Sequence, residues 1–510
     1  MSRTQSSVKN LATALIGQGV GVIISFIARM IFLDCLNEEY LGLNGLFTNI
    51  LTVFSLVELG IGPAMNFSLY KPLAENDTEK VKSIMRLYQK SYVIIGILIM
   101  LIGFGFTPFY TIFMEEIPDV SNLTIIYWLF VVNTAVSYFF SYKRALIICD
   151  EKRYIATIFR YCFYAASNIF QIIVLVLTGD YILFLIVQIV FAFSENFLVS
   201  LKADKMYPFL KEKNVKPLEK ETIKDIAKNV KAMLMHKIGG MVVLSTDNII
   251  MSKYVSLTAV GIYSNYYLIT DALNKITSQF FISIVASVGN LNALEDKNDK
   301  KRLEESFDKT FFLNFWIFGF CSCCLWCLFN PFISLWLGSH LIFDSFTVGV
   351  ITVNFYLTGM RRSVLTYKEA TGVFYQDRYK PLIEAVVNII ASILLAKKLG
   401  VAGIFLGTII STLVMPVWVE PYVLYKYVFK KSSRIYALRF IRYTAVFLIA
   451  TVICDLCTGF ISVENDILCF VIKMLICAII PNSVFLLFYA KNENFRFFVN
   501  LAKRLLKKSS

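Results

Sequence analysis

Apolar residues run along this chain in long blocks separated by short polar stretches, not in the alternation that marks strands. A helix crossing a bilayer needs about 20 mostly apolar residues. By that measure fourteen spans stand out, at 11–33, 40–69, 90–113, 121–149, 155–177, 181–201, 235–254, 258–289, 308–336, 342–369, 379–396, 401–428, 436–457 and 465–489. Spans two, four, eight, ten and twelve are long enough to tilt or to project beyond the membrane. The predicted fold is an all-α polytopic membrane protein, and an even span number puts both termini on one face.

Charge fixes which face. The chain has 50 Lys and Arg, and 44 of them fall in the termini, in alternate loops or in the turns flanking those loops. The opposite loops hold only Lys253, Lys397 and Lys398, and Asp34–Glu39 and Met114–Asn122 carry carboxylates with no cation. Basic loops stay cytoplasmic, so both termini are expected inside. The net charge of +14 is then a sidedness signal, with attraction to anionic lipids as a by-product, and nucleic-acid binding is not expected.

The two halves read as copies. Gly42 aligns with Gly261 and Lys90 with Lys309 at an offset of 219, Pro108-Phe109 with Pro331-Phe332 at 223, and Arg153-Tyr154 with Arg378-Tyr379 at 225. Six spans per copy preserve orientation, giving parallel repeats about an axis along the membrane normal. The expected organisation is an N-lobe at 1–201 (spans one to six), a basic solvated linker at 202–234 and a C-lobe at 235–429 (spans seven to twelve). Spans thirteen and fourteen with a basic cytoplasmic tail fill 430–510. Two pseudo-symmetric six-helix lobes plus two C-terminal helices form a transporter-like plan.

Polar residues inside the spans mark candidate sites. In span two, Asn44, Thr48, Thr52, Ser55, Glu58, Gly62 and Asn66 recur every 3.67 residues, close to the helical period. A full-length polar face with a central carboxylate suits a hydrated cavity, and interhelical hydrogen bonding is the alternative. Arg29 in span one either snorkels or pairs with Asp34, or else contacts an anion such as phosphate, which its planar fork suits. In span eight, Asp271 and Lys275 share a face at i, i+4, as a fixed or a switchable pair. Arg361 and Arg362 lie in the inner third of span ten, where they either snorkel or meet a phosphate. Asp247 in span seven, Glu384 in span eleven and Glu420 in span twelve are further intramembrane carboxylates. Glu420 sits between Pro416 and Pro421, whose missing backbone donors predict a broken helix.

Composition narrows the classes further. Of the 510 residues 57% are apolar and 17% charged, and the mean hydropathy is +0.65, which excludes a soluble enzyme, a secreted disulfide scaffold and a disordered chain. Ten polar residues lead straight into 11–33, too long for the apolar part of a cleavable signal. Cys321, Cys323, Cys324 and Cys327 crowd into an apolar run without a nearby histidine, so they read as core or lipid-facing thiols and no metal is expected. No GxxxxGK[ST] phosphate loop occurs, and the only histidines, His236 and His340, fall on opposite faces. No enzyme is expected.

Several stretches resemble a known family: YLGLN (Tyr40–Asn44), SLVELGIGPA (Ser55–Ala64), SLYKPLAENDTEKVKSIM (Ser68–Met85), STDNIIMSKY (Ser245–Tyr254), VGIYSNYYLI (Val260–Ile269), SVGNL (Ser287–Leu291), TGMRRSVLTYKEATGVFYQDRYKPLIEA (Thr358–Ala385) and GIFLGTIIST (Gly403–Thr412). They are similar to Gram-positive-type, Wzx-like polysaccharide flippases of the multidrug/oligosaccharidyl-lipid/polysaccharide exporter superfamily. The resemblance implies alternating access in a bacterial plasma membrane. It also implies transfer of undecaprenyl-diphosphate-linked oligosaccharides to the outer leaflet for capsular or other surface polysaccharide. Partners would be that substrate, membrane lipids, and the polymerase and chain-length regulators of the pathway. On this reading Arg29, Asn44, Thr48, Ser55, Lys275, Arg361 and Arg362 are candidates for substrate binding. Glu58, Asp247, Asp271, Glu384 and Glu420 are candidates for coupling to a Na⁺ or proton gradient, and no cofactor is expected. A multidrug-type exporter and a membrane-embedded glycan polymerase or ligase are the rival readings. The second needs a sizeable outward loop, and none here exceeds about ten residues.

Overall fold

The computed structural model describes residues 3–58, 60–212, 215–292, 297–373 and 375–509. Its helices, in chain order, are α1 (Arg3–Cys35), α2 (Glu38–Phe54), α3 (Ile61–Ala74), α4 (Thr78–Gly105), α5 (Leu123–Phe139), α6 (Ser141–Cys149), α7 (Arg153–Thr178), α8 (Tyr181–Met206), α9 (Lys220–Tyr254), α10 (Leu257–Asn292), α11 (Lys297–Leu337), α12 (Ser345–Met360), α13 (Arg362–Thr371), α14 (Lys380–Val414), α15 (Pro416–Leu424), α16 (Arg434–Gly459), α17 (Asp466–Tyr489) and α18 (Glu493–Ser509). No strand occurs among the described residues, and each of the fourteen apolar spans is mostly helical over its described residues. Among the described residues nine helices are long and apolar enough to cross a membrane, ten with the bent pair α5–α6. The fold class read from the sequence is the one observed.

Four of the five long spans are broken. Span two stops at Phe54, makes a short 3₁₀ turn at Ser55–Glu58 and restarts at Ile61. Gly60 takes a φ of 79°, a left-handed backbone that glycine adopts without steric cost, and Pro63 falls in the first turn of α3, where no amide donor is needed. The polar face read as one continuous helix from Asn44 to Asn66 is therefore interrupted at Glu58. Span four bends by 44° at Phe140. Span ten breaks at Arg361, and span twelve at Met415, one residue before Pro416, as the two prolines predict. Spans eleven and twelve join through Gly400, whose φ of 57° and ψ of −133° mark a turn inside one run of helix.

The repeat appears in local structure as well. Asn37 caps α2 by accepting a hydrogen bond from the Tyr40 amide, and Ser256, 219 residues later, accepts one from the Ala259 amide at the start of α10. The interruptions at Phe140 and Arg361 are 221 residues apart and fall at the same place in spans four and ten.

By internal contact the helices group into two units, Met1–Ser264 and Asn265–Ser510. The first has two buried clusters. One joins Leu43, Leu46 and Phe47 of α2 to Tyr127 and Phe130 of α5 and to Tyr181 and Leu185 of α8. The other joins Leu69 of α3, Ile84, Tyr88 and Tyr92 of α4, and Leu146 of α6 to Val199 and Tyr207. The stretch read as a solvated linker is pinned to this second cluster. Phe209, Leu210, Leu218 and Ile226 pack on it, Ser83 Oγ donates to the Lys216 carbonyl at 2.7 Å, and Lys82 pairs with Glu212 at 2.5 Å. α9 starts at Lys220 and continues unbroken into span seven. Burial and the Asp150 carboxylate, 2.6 Å away, push the Tyr207 phenol well above its usual range, so it remains a proton donor.

In the second unit the core is aromatic. Phe307, Phe311, Phe312 and Phe315 of α11 pack against Tyr436 and Tyr443 of α16 and against Phe485 and Tyr489 of α17, with Phe311–Tyr436 and Phe315–Tyr443 stacked. Tyr356 of α12 stacks on Phe447 at 4.2 Å between ring centres. These rings anchor the two C-terminal spans. The tail forms α18, held by Trp316–Phe495 stacking and by Lys309 over the Phe497 ring.

Candidate functional site

In the first unit the polar residues of span two form a connected ladder. Thr48 Oγ1 donates to Asn44 Oδ1 at 3.3 Å, and Thr52 and Ser55 donate to the carbonyls of Thr48 and Leu51 at 2.7 and 2.9 Å. Such back-bonding to the preceding turn bends helices, and it ends where the helix stops. Glu58 lies in the 3₁₀ turn, and its Oε1 accepts from Tyr92 OH at 2.8 Å. Tyr88 OH lies 3.3 Å from Tyr92 OH and 3.4 Å from Asn66 Oδ1, so the ladder resumes on the far side of the break through two phenols of α4. Irregular backbone at membrane depth persists only where it is buried in protein or lines a water-filled cavity. Glu58 is half-buried and Thr48 exposed, so this ladder combines an anchored carboxylate with accessible hydroxyls.

Arg29 is half-buried on α1 and donates through Nη1 to Ser264 Oγ at 2.5 Å, and that hydroxyl donates on to the Gly261 carbonyl at 2.6 Å. The contact ties α1 to the first turns of α10. Beside it is a reciprocal close approach. A Cβ on Gly42 would overlap the Leu257 carbonyl oxygen, and a Cβ on Gly261 would overlap the Glu38 carbonyl oxygen. Gly42 and Gly261 are repeat equivalents, as are Glu38 and Leu257 at the same offset, so α2 and the start of α10 cross about a local pseudo-two-fold axis. Asp247 is half-buried on α9, next to Asn248, which reaches α2 near Gly45. The Lys253 ammonium donates to the Met114 carbonyl at 3.4 Å and the Glu115 amide to the Ser252 carbonyl at 3.0 Å, closing the same side of this unit.

In the second unit the sequence-derived residues fall into two charge groups. Asp271 and Lys275 pair at 2.6 Å along α10, and the Lys275 side chain is 54% exposed, leaving its ammonium open to a competing anion. Arg361, at the break in span ten, donates through Nε and Nη2 to Glu420 at 3.1 and 2.8 Å and through Nη1 to Glu384 at 3.3 Å. Lys380 bonds Glu420 as well and lies 3.5 Å from Glu384. Two cations and two carboxylates therefore neutralise one another, with the Glu420 side chain fully buried. Arg361 is engaged in this cluster, and Arg362, half-buried, lies outside it within electrostatic reach of Glu369. The first unit has the counterpart: Arg144, just past the break in span four, pairs with Glu195 of span six at 2.5 Å, and Glu195 is the repeat equivalent of Glu420 at an offset of 225. This Arg144–Glu195 pair is absent from the sequence reading. The basic residue after each break and the glutamate in each sixth span were the signal that could have revealed it.

The sequence-derived residues thus fall into separate groups. Asn44, Thr48, Ser55 and Glu58 share one ladder, Arg29 flanks the Gly42–Gly261 crossing, Asp271 pairs with Lys275, and Arg361, Glu384 and Glu420 form one cluster.

Comparison with known proteins places this arrangement in context. The family model described as polysaccharide biosynthesis protein matches residues 7–289. Among curated proteins, none matches the chain. A structure of the lipid II flippase MurJ in an inward closed conformation superposes with a TM-score of 0.64 at 15% identity, covering 94% of this chain and 99% of that one. An inward-facing multidrug resistance MATE family transporter of the MOP superfamily gives 0.57 at 14% identity, with coverage of 79% and 95%. A MATE transporter from Vibrio cholerae gives 0.55 at 11% identity, with coverage of 85% and 99%. At these identities the likeness is one of fold.

Proposed function

The chain belongs to the polysaccharide biosynthesis protein family, and from that premise we propose that it is a flippase for polyprenyl-diphosphate-linked oligosaccharides. It carries undecaprenyl-diphosphate-linked repeat units from the cytoplasmic to the outer leaflet of a bacterial plasma membrane, with both termini inside, for capsular or other surface polysaccharide. The polymerase and chain-length regulators of that pathway receive the product. The observation that carries this reading is the family match over residues 7–289 on a fold shared with a lipid II flippase. The diphosphate carries the charge that must cross, and Lys275 and Arg29 provide cations for it. The hydroxyl ladder of span two suits sugar hydroxyls, because each rung, its own proton already donated within the helix, keeps oxygen lone pairs that accept from them. Glu58, held by Tyr92 at the break in span two, and the Asp271–Lys275 pair are the groups whose protonation or cation binding couples export to a Na⁺ or proton gradient. The internal repeat supports alternating access as its mechanism.

In cells lacking the protein, lipid-linked repeat units are expected to accumulate facing the cytoplasm, with surface polysaccharide lost. Unchanged surface polysaccharide contradicts the reading. Arg29→Ala and Lys275→Ala are expected to lower export about tenfold or more at unchanged protein level, the scale of one lost charge-assisted contact. Wild-type export in both variants removes these residues from the substrate path.

A further inference from the structure

Three helices of the second unit bring buried sulfurs to one point. Cys327 of α11, Cys454 of α16 and Cys477 of α17 are all buried, and their Sγ atoms lie within 4.8 Å of one another, with Cys454 and Cys477 at 3.5 Å. Their other neighbours are Leu328, Ile476 and Ile480, the Thr458 hydroxyl beside Cys327, and Cys324, whose thiol points to the Cys477 carbonyl at 3.7 Å. One turn from Cys477 is Lys473, a half-buried intramembrane ammonium in electrostatic range of the Cys327 sulfur and without a carboxylate at ion-pair distance among the described residues. No disulfide is present among the described residues, where all eleven cysteines are free.

We propose that these three thiols form a buried site for a thiophilic d¹⁰ metal ion, clasping α16 and α17 to α11. Distance supports it: metal–sulfur bonds of about 2.3 Å place the sulfurs of a trigonal site about 4.0 Å apart, which these three reach with small side-chain rotations. The donor set supports it too, since an all-sulfur site in apolar surroundings selects zinc(II) or copper(I) over harder cations. Charge provides the third argument. Binding displaces three protons from the thiols, and zinc(II), three thiolates and the Lys473 ammonium then sum to zero, whereas copper(I) leaves one negative charge. An uncompensated charge is costly at this depth, so charge favours zinc(II), whose fourth position falls to a water or the Thr458 hydroxyl, whereas copper(I) is satisfied by the three sulfurs alone. The isolated lysine thereby acquires its counter-charge. Neither feature follows from the crowded Cys321–Cys327 run alone, because two of the three ligands come from the last two spans.

The test uses the full-length protein purified in detergent, stripped with chelator under reducing conditions and titrated with zinc(II), with cadmium(II) as a spectroscopic probe, and anaerobically with copper(I). One ion per chain, a thiolate-to-cadmium charge-transfer band and a raised thermal transition are expected. Each is lost in Cys327→Ser, Cys454→Ser and Cys477→Ser and retained in Cys162→Ser. Lys473→Gln leaves the ligands in place and is expected to weaken zinc binding about tenfold or more, the usual scale for an outer-shell partner. Saturation by zinc(II) assigns the site to zinc, and saturation by copper(I) alone assigns it to copper. Wild type that binds neither ion overturns the proposal. So does a cadmium band that survives removal of all three cysteines, or a Cys454–Cys477 disulfide in the freshly isolated protein.

Discussion

Replacing Gly42 or Gly261 with valine is expected to slow export about five- to more than a hundredfold while leaving the protein inserted in the membrane. Each position abuts a carbonyl oxygen of the other helix so closely that even a single Cβ cannot be accommodated without separating the backbones. Overpacking of this kind costs about 1–3 kcal/mol, and here the whole cost falls on the state in which α2 and α10 cross. A two-state carrier shifted by that amount changes its populations about five- to more than a hundredfold, at 1.4 kcal/mol per factor of ten. The carrier then spends a larger share of its time with the crossing open and completes its cycle more slowly. Cysteine accessibility at Asn37 and Ser256 replaced by cysteine measures this directly. Labelling from outside rises in the valine variants and stays low in the parent. Equal labelling in both means that the crossing is not a moving contact.

The buried charge cluster predicts the second large effect, on stability. Arg361→Ala leaves one cation against two carboxylates around a fully buried Glu420, and removing one partner of a buried pair costs about 3–5 kcal/mol. Thermal unfolding in detergent is expected to show a much larger loss than removal of either partner of the Asp271–Lys275 pair. Arg361→Met combined with Glu420→Gln leaves Lys380 facing Glu384 and recovers part of the loss, because no net charge is stranded. A purely additive double variant means that the cluster is not coupled. At the exposed Asp271–Lys275 pair the same removal is expected to cost about 1 kcal/mol or less, since exposed ion pairs contribute little.

These contrasts show what was legible beforehand. The fourteen apolar spans could be read because bilayer thickness imposes a length on each helix. The break at Met415 was readable from Pro416 and Pro421, and the one at Glu58 had a signal in Gly60 and Pro63 that helical periodicity concealed. The breaks at Phe140 and Arg361 carry no proline at the break itself. They coincide with Arg144 and Arg361 turning to glutamates on other helices, a tertiary cause that no local pattern encodes. The same applies to charge. Periodicity located Arg361, Glu384 and Glu420 in their spans, but whether they meet a ligand or one another depends on how spans ten, eleven and twelve pack. The repeat was legible through Gly42 and Gly261, and it proved more informative than its residue matches suggested, since the two glycines make reciprocal contacts at equivalent places. The thiol cluster was hidden because Cys454 and Cys477 lie far along the chain from Cys327.

The flippase reading itself rests on movement of a charged headgroup between leaflets. Its most direct test is the purified protein in sealed vesicles loaded with a fluorescent polyprenyl-diphosphate oligosaccharide, with a membrane-impermeant quencher outside and Na⁺ or proton gradients imposed in turn. Fluorescence beyond the initially exposed half is expected to be quenched only in vesicles containing the protein, faster under one of the two gradients, and more slowly in Gly42→Val. Quenching that stops at the exposed half under every gradient, with the protein folded and inserted, would contradict the flippase reading.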